Sequence, residues 1–315
     1  MIRAGVVGAT GYVGAELLRW LSLHPEVSDI VAVSRSRAGV DIDLVLPGLQ
    51  GLIPGAFEPL DPDRLSQLDV VFLATPHGQA APLAARLDPP VLIDCSADHR
   101  HAEGWVYGQP EWHGEALSGA CRVAAPGCFA TAMGLALAPF AAAGLSTGPA
   151  MITAATGSTG SGVQPSRGTH HPERFANLRA YKVLTHQHPP EVAAFLEGLG
   201  GGPPIHFVPL SAPVDRGILA SVLLPLGDDV DATQLVSDAY RPHPLVRVRS
   251  GSPELRHVRG TAFADLAVTQ RDGVASVLVA IDNLGKGAAA QAVQAMNLTQ
   301  GLPTDRGLRW PAATP

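Results

Sequence analysis

The sequence predicts an α/β chain in two parts: a doubly wound parallel-sheet domain over 1–127, completed by a C-terminal helix within 285–315, and an α+β domain over 128–284. Three observations carry this. Up to about Cys128 short apolar runs alternate with helical stretches, the pattern of a parallel sheet covered on both faces. Beyond that point the runs are strand-like with few helices between them, which predicts a mostly antiparallel sheet. The tail returns to helical periodicity.

In the first part, "IRAGVVGA", "DIVAVSRS", "DVVFLAT" and "PVLIDCS" read as strands, with helices at "AELLRWLSLH" and "AAPLAARL". In the second, strands are expected at "AMITAATGS", "IHFVPLSA", "GILASVLLPL", "ADLAVTQRDG" and "SVLVAID", and Gly200–Pro204 is a surface turn. "GAAAQAVQAMNLTQGL" is the helix that packs back on the first domain.

The composition bounds the function. With 46% hydrophobic residues in 315, the chain can bury two cores. A net charge of −6 with no dense Lys/Arg run argues against a nucleic-acid or anionic-membrane surface. No run approaches the roughly 18 apolar residues of a membrane span. The start "MIRAGVVGATG" has no charged segment leading into a long apolar one, so cytoplasmic residence is expected. Three cysteines, Cys95, Cys121 and Cys128, at no metal-like spacing are expected to be free thiols.

The chemistry concentrates in four segments. "VAAPGCFATAM" puts Cys128 between a Pro-Gly bend and a run of helix formers, hence at a helix N-terminus. Unpaired N–H groups and the helix dipole favour thiolate there, which makes a nucleophile. "VVGATGYVGAELL" sets Gly8, Gly11 and Gly14 between the first strand and first helix. Small residues there admit a pyrophosphate to the helix N-terminus, the arrangement of a Rossmann-type dinucleotide site.

The second strand ends in Ser34, Arg35, Ser36 and Arg37, where an NAD site presents an acid; hydroxyls and guanidinium groups suit the extra phosphate of NADP, so NADPH/NADP+ is expected. In "THHPERFANLRAYKVLTHQHPPEV", His186 and His188 are acid/base candidates, while no metal is expected because neither cysteine nor acid stands at ligand spacing. "AATGSTGSGVQPSRG" lacks the Gly-Lys-Ser/Thr ending of a nucleoside-triphosphate loop but can offer N–H groups and hydroxyls to an anion. Together these describe one reaction: a thiolate attacks an acyl phosphate, phosphate leaves, and hydride from NADPH reduces the thioester to an aldehyde.

The motifs "GATGYVGAELLR", "SRSRAG", "ATPHG", "LIDCSADHR", "APGCFATA", "AYKVLTHQHPPEV", "RGIL" and "AIDNLGKGAAAQAVQAMN" occur in an order and spread over the chain that resembles the N-acetyl-γ-glutamyl-phosphate reductases. The wider group includes aspartate-semialdehyde dehydrogenase and has a glyceraldehyde-3-phosphate-dehydrogenase-like second domain.

The resemblance implies that Cys128 is the nucleophile, with His188 and His186 catalytic. It implies cofactor contacts from Thr10, Gly11, Tyr12, Val13, Ser34 and Ser36, and from Asn283 at the nicotinamide. Ser96, Arg100, Ser158 and Arg216 are expected at the substrate. "TGSTGSGVQPSRGTHHPER" departs from the usual Ser-Gly-x-Ser-Gly-Ala-Gly-Arg and looks like the branch that reduces aminoadipyl phosphate on an acidic amino-group carrier protein in lysine biosynthesis. Arg167, Arg174 and Arg179 would form the docking patch. Gln187 stands where most relatives resemble Arg.

The expected partners are an acyl phosphate, that carrier, an upstream kinase, and further copies of this chain in a dimer or tetramer. Two other readings are an aspartate-semialdehyde dehydrogenase-like enzyme and, in a different class, an NADPH-binding redox sensor switched at Cys128. A sensor has no use for the histidine pair or the second glycine-rich segment.

Overall fold

The computed structural model describes residues 1–145, 148–227 and 229–313. The chain divides into two compact units: Met1–Gly127 with Ala288–Trp310, and Cys128–Gly287 with the described residues after Trp310.

The first unit is built on β1 (Ile2–Val7), β2 (Val27–Val33), β3 (Val70–Leu73), β4 (Val91–Asp94), β5 (Val106–Tyr107) and β6 (Arg122–Ala124). They pair in parallel in the order β2-β1-β3-β4-β6-β5. Strands β3 and β4 are buried along their whole length, as continuous apolar runs in a sheet covered on both faces must be. The turn after β1 meets the end of β2, because Val33 O accepts from both Gly8 N and Ala9 N at 3.1 Å. Strands β5 and β6 lie outside the sequence prediction; two and three residues are too short for periodicity to register.

The second unit is a seven-stranded sheet formed by β7 (Ala150–Thr156), β8 (Arg179–Ala180), β9 (Ile205–Ser211), β10 (Ile218–Pro225), β11 (Val246–Val248), β12 (Ala264–Arg271) and β13 (Val274–Ile281). Its order is β11-β12-β13-β10-β7-β9-β8. The sheet is mixed: β7 pairs with β9 in parallel over Ala150–Thr156, and β11 with β12 likewise. Parallel neighbours need a long crossover, and the β7-to-β9 connection contains the helix His188–Glu197, the element that carries the second histidine.

That helix packs against Cys128–Ala142, a helix buried on all sides from Phe129 to Ala141. Pro139 lies inside it and cannot donate to the carbonyl four residues back. The Tyr240 hydroxyl takes that place, donating to Leu135 O at 2.6 Å. An unmet carbonyl here would cost about 1–3 kcal/mol.

Candidate functional site

In the first unit the glycine turn has three different reasons for its three glycines. Gly8 has φ +85°, and a Cβ there would stand 2.4 Å from Ala74 O. One on Gly14 would stand 2.3 Å from Gly8 O, so both are demanded by the fold itself. A Cβ on Gly11 would meet nothing closer than Gly8 O at 3.4 Å, an ordinary contact. Gly11 is the N-cap of helix Tyr12–Ser22 and gives its first turn no side-chain acceptor. The bare N–H groups and the space a Cβ would fill form a cradle that fits a pyrophosphate.

Thr10 Oγ1 lies 3.2 Å from the oxygen of buried Ser34. Tyr12 is exposed and Val13 half-buried on the helix. Arg35, Ser36 and Arg37 are exposed, and neither guanidinium has a hydrogen-bond or ion-pair partner among the described residues. Two unspent cations beside this cradle fit the extra phosphate of NADP.

The structure gives Ser96 and Arg100 internal work. The buried Ser96 Oγ donates to Asp94 Oδ2 at 3.0 Å and accepts from Asp98 N at 3.1 Å. His99 Nδ1 is 2.7 Å from the same Asp94 oxygen, and Arg100 Nε donates to Ala125 O at 3.0 Å.

In the second unit Cys128 is the first residue of its helix, as the sequence predicts. The adjacent Phe129 ring is the hub that places the histidines: His186 and His188 meet it edge-on at 5.4 and 5.9 Å, and their own rings are 4.7 Å apart. The backbone N–H of His188 donates to His186 Nδ1 at 3.3 Å, so the neutral His186 ring carries its proton on Nε2. Burial, with Lys182 nearby, pushes His186 down to about 4, and the ring is neutral at pH 7.

This shift has a sign that can be measured. A free histidine titrates near 6.5, so between about pH 6.5 and pH 4 the unfolded chain takes up a proton that folded His186 refuses. Stability conferred by the neutral ring is present above that window and lost as pH falls through it. The melting temperature of the parent is expected to drop more steeply from about pH 7 to about pH 4.5 than that of His186→Gln. His24 and His113, lowered by burial too, are common to both proteins and cancel in the comparison. Equal slopes would show that His186 protonates freely in the fold.

Tyr181 joins this cluster, 5.9 Å from His186; burial first, then the neighbouring Cys128, push its phenol up to about 12. Arg174 is part-buried and donates to Ser211 Oγ at 2.6 Å, Ala212 O at 2.9 Å and Thr156 O at 3.1 Å, tying the end of β7 to that of β9. It therefore belongs to the framework, unlike exposed Arg167 and Arg179. Burial and neighbouring Arg179 lower its pKa. Position in sequence alone grouped the three arginines, and nothing in it distinguished the strut. Tyr181 stands within "AYKVLTHQH", but a lone tyrosine carries no spacing signal.

Ser158 opens a one-turn helix, Ser158–Ser161, whose N–H donates to Val214 O at 3.0 Å. Asn283 is buried behind it: its Nδ2 donates to Thr159 Oγ1 at 3.0 Å, and its Oδ1 accepts from Gly217 N at 2.7 Å. Arg216 is turned to the fully buried Asp282 carboxylate, with Nη2 3.0 Å from Oδ1.

Two family models cover the chain: "Semialdehyde dehydrogenase, NAD binding domain" matches residues 3–120, and "Semialdehyde dehydrogenase, dimerisation domain" matches residues 128–283. The chain is 39% identical to the N-acetyl-gamma-glutamyl-phosphate reductase of Methanocella arvoryzae, over 98% of each protein. It is 40% identical to the enzyme of that name from Alkalilimnicola ehrlichii, over 100% of each. Among solved structures it is similar to aspartate semialdehyde dehydrogenase II from Vibrio cholerae, with TM-score 0.77 at 17% identity, covering 96% of this chain and 99% of that one. It is also similar to an aspartate semialdehyde dehydrogenase with NADP from Candida albicans, with TM-score 0.72 at 15% identity, covering 95% and 98%. These two likenesses are of fold.

Proposed function

Because the chain belongs to the N-acetyl-γ-glutamyl-phosphate reductase family, we propose that it reduces an acyl phosphate to a semialdehyde, with NADPH as reductant and Cys128 as nucleophile. One observation carries this reading: Cys128 begins a buried helix whose next residue, Phe129, packs both histidines beside it. The Gly11 cradle, with Arg35 and Arg37 at the extra phosphate, would hold NADPH, which would supply the hydride.

The chain's own residues do the rest. Cys128 Sγ attacks the acyl carbon, and phosphate leaves to give a thioester. After reduction the C–S bond breaks, the thiolate returns and the aldehyde leaves. His188 protonates the oxyanion formed on reduction and takes that proton back as the C–S bond breaks, while His186, held neutral, orients the substrate through its Nε2–H. His188→Ala is expected to lower kcat by about 100-fold with a smaller change in KM. An equal loss of kcat from His186→Ala alone, with His188→Ala unaffected, would reverse the two roles.

For the substrate, the reading supported by "THHPERFANLRA" is an aminoadipyl phosphate presented on an acidic carrier protein. Exposed Arg167 and Arg179 flank the part-buried strut Arg174, and among the described residues Arg167 faces an acid, Glu173 at 3.6 Å, while Arg179 does not. Cations arranged so would raise the encounter rate with an acidic protein in a salt-sensitive way. The carrier-bound acyl phosphate is then expected to show the higher kcat/KM, eroded by salt and by Arg179→Glu. Comparable turnover of free N-acetyl-γ-glutamyl phosphate, insensitive to salt, would assign the free substrate instead. The dimerisation-domain match supports assembly of this chain with itself.

A further inference from the structure

We propose that the turn from Asp282 to Gly287 sets the position of the Cys128 thiol, with Asp282 and Arg216 as positioning residues. The proposal rests on the reading of Cys128 as nucleophile, and it gives "IDNLGKG" a task that cofactor contact alone does not explain.

The contact is direct. A Cβ on Gly287 would stand 2.9 Å from Cys128 Cβ and 3.3 Å from Cys128 Cα. Those atoms are rooted in the start of the helix, so they cannot swing aside as the tip of a flexible side chain can. Any side chain at 287 must displace the nucleophile, the turn, or both.

The turn itself is pinned. Gly287 N donates to Asp282 O at 2.8 Å. The Asp282 carboxylate is fully buried and accepts at Oδ1 from Leu284 N at 2.8 Å and Gly285 N at 2.9 Å, and at Oδ2 from Gly260 N at 2.6 Å. A buried carboxylate with only N–H groups around it would still carry a full charge, which Arg216 offsets through Nη2 at 3.0 Å and Nε at 3.3 Å. On the other side, Gly285 lies so close to Thr261 O that a Cβ would fall 2.2 Å from it.

The same turn reaches the glycine-rich loop through Asn283, which holds Thr159 and Gly217. Gly157 completes this link: its N–H donates to Gly217 O at 2.9 Å, and a Cβ there would lie 2.5 Å from Asp215 O. One buried carboxylate thereby fixes a frame that touches both the nucleophile and the loop expected at the substrate. Arg216 acts within that frame.

The test reads the thiol without substrate: the rate of Cys128 alkylation by iodoacetamide across pH, followed on the Cys128 peptide, beside kcat and KM. Folded Gly287→Ala is expected to lose about tenfold or more in both alkylation rate and kcat, with KM little changed. Gly251→Ala, where a Cβ meets nothing within 4 Å, should leave both at the parent value. If the alanine at 287 prevents folding, Arg216→Ala reads the same frame from a partly exposed residue: alkylation should fall, and Arg216→Lys should restore it.

Parent-like alkylation in folded Gly287→Ala or in Arg216→Ala overturns the proposal, as does a loss in Arg216→Ala that lysine fails to rescue. Alkylation that responds as expected in a protein that turns over no acyl phosphate overturns the functional reading and leaves the positioning role standing.

Discussion

Replacing Cys128 with serine is expected to lower acyl-phosphate reduction by at least about 1,000-fold while NADPH binding, read by fluorescence titration, stays near the parent value. The helix N-terminus at residue 128 stabilises an anion, but a serine hydroxyl lies too far from ionisation at neutral pH to use that help. The substitution changes one atom in a residue that is not fully buried, so a folding defect would not account for the loss.

The other two cysteines supply the contrast. Burial and the neighbouring Asp94 push the Cys95 thiol far above its ordinary range, which leaves it protonated and unreactive. Cys121 is exposed on a turn, with only a long 4.0 Å sulfur contact to Gly119 O. Cys121→Ala should therefore keep full activity. Full activity in Cys128→Ser would overturn the thioester route, and binding of NADPH without any turnover in the parent would instead favour the redox-sensor reading.

Legibility in the sequence followed the range of each physical signal. Periodicity and glycine placement act over a few residues, so the strand-turn-helix at Gly8–Gly14 and the helix start at Cys128 could be read directly. The fully buried β3 and β4 and the longer β7, β10, β12 and β13 were equally plain. Pairing direction was not, because β7 and β9 lie side by side only through the crossover that carries His188.

Side-chain surroundings are illegible in sequence where long-range partners decide them. Ser96, Arg100, Arg174 and Arg216, expected at the substrate or a docking partner, also hold Asp94, Ala125, the ends of β7 and β9, and Asp282. The last two of these arginines could not be recognised as struts because their acceptors are 18 to 66 positions away in sequence. The low pKa of His186 arises from burial in the assembled unit, which no local pattern contains.

The second large effect is expected at the end of β2. Strand β2 stops at Val33, Ser34 is held by its N–H to Glu58 O at 3.1 Å, and the chain then presents Arg35 and Arg37 to solvent. Neither guanidinium is committed to the fold among the described residues, so their removal should leave the melting temperature unchanged. A charge-assisted contact to a phosphate contributes about 1.5–3 kcal/mol, and at exposed positions solvent screening favours the lower figure. Two such contacts sum to about 3 kcal/mol, which predicts a rise of about 100-fold in the NADPH KM of the Arg35→Ala, Arg37→Ala double variant.

NADH lacks the phosphate these arginines would meet, and its KM should move little, so the preference narrows from one side only. Added salt should imitate the substitution in the parent and have less effect in the double variant. Equal use of NADPH and NADH by the parent would show that the loop reads no phosphate. A parallel rise in both KM values would place the arginines at a part of the dinucleotide that the two cofactors share.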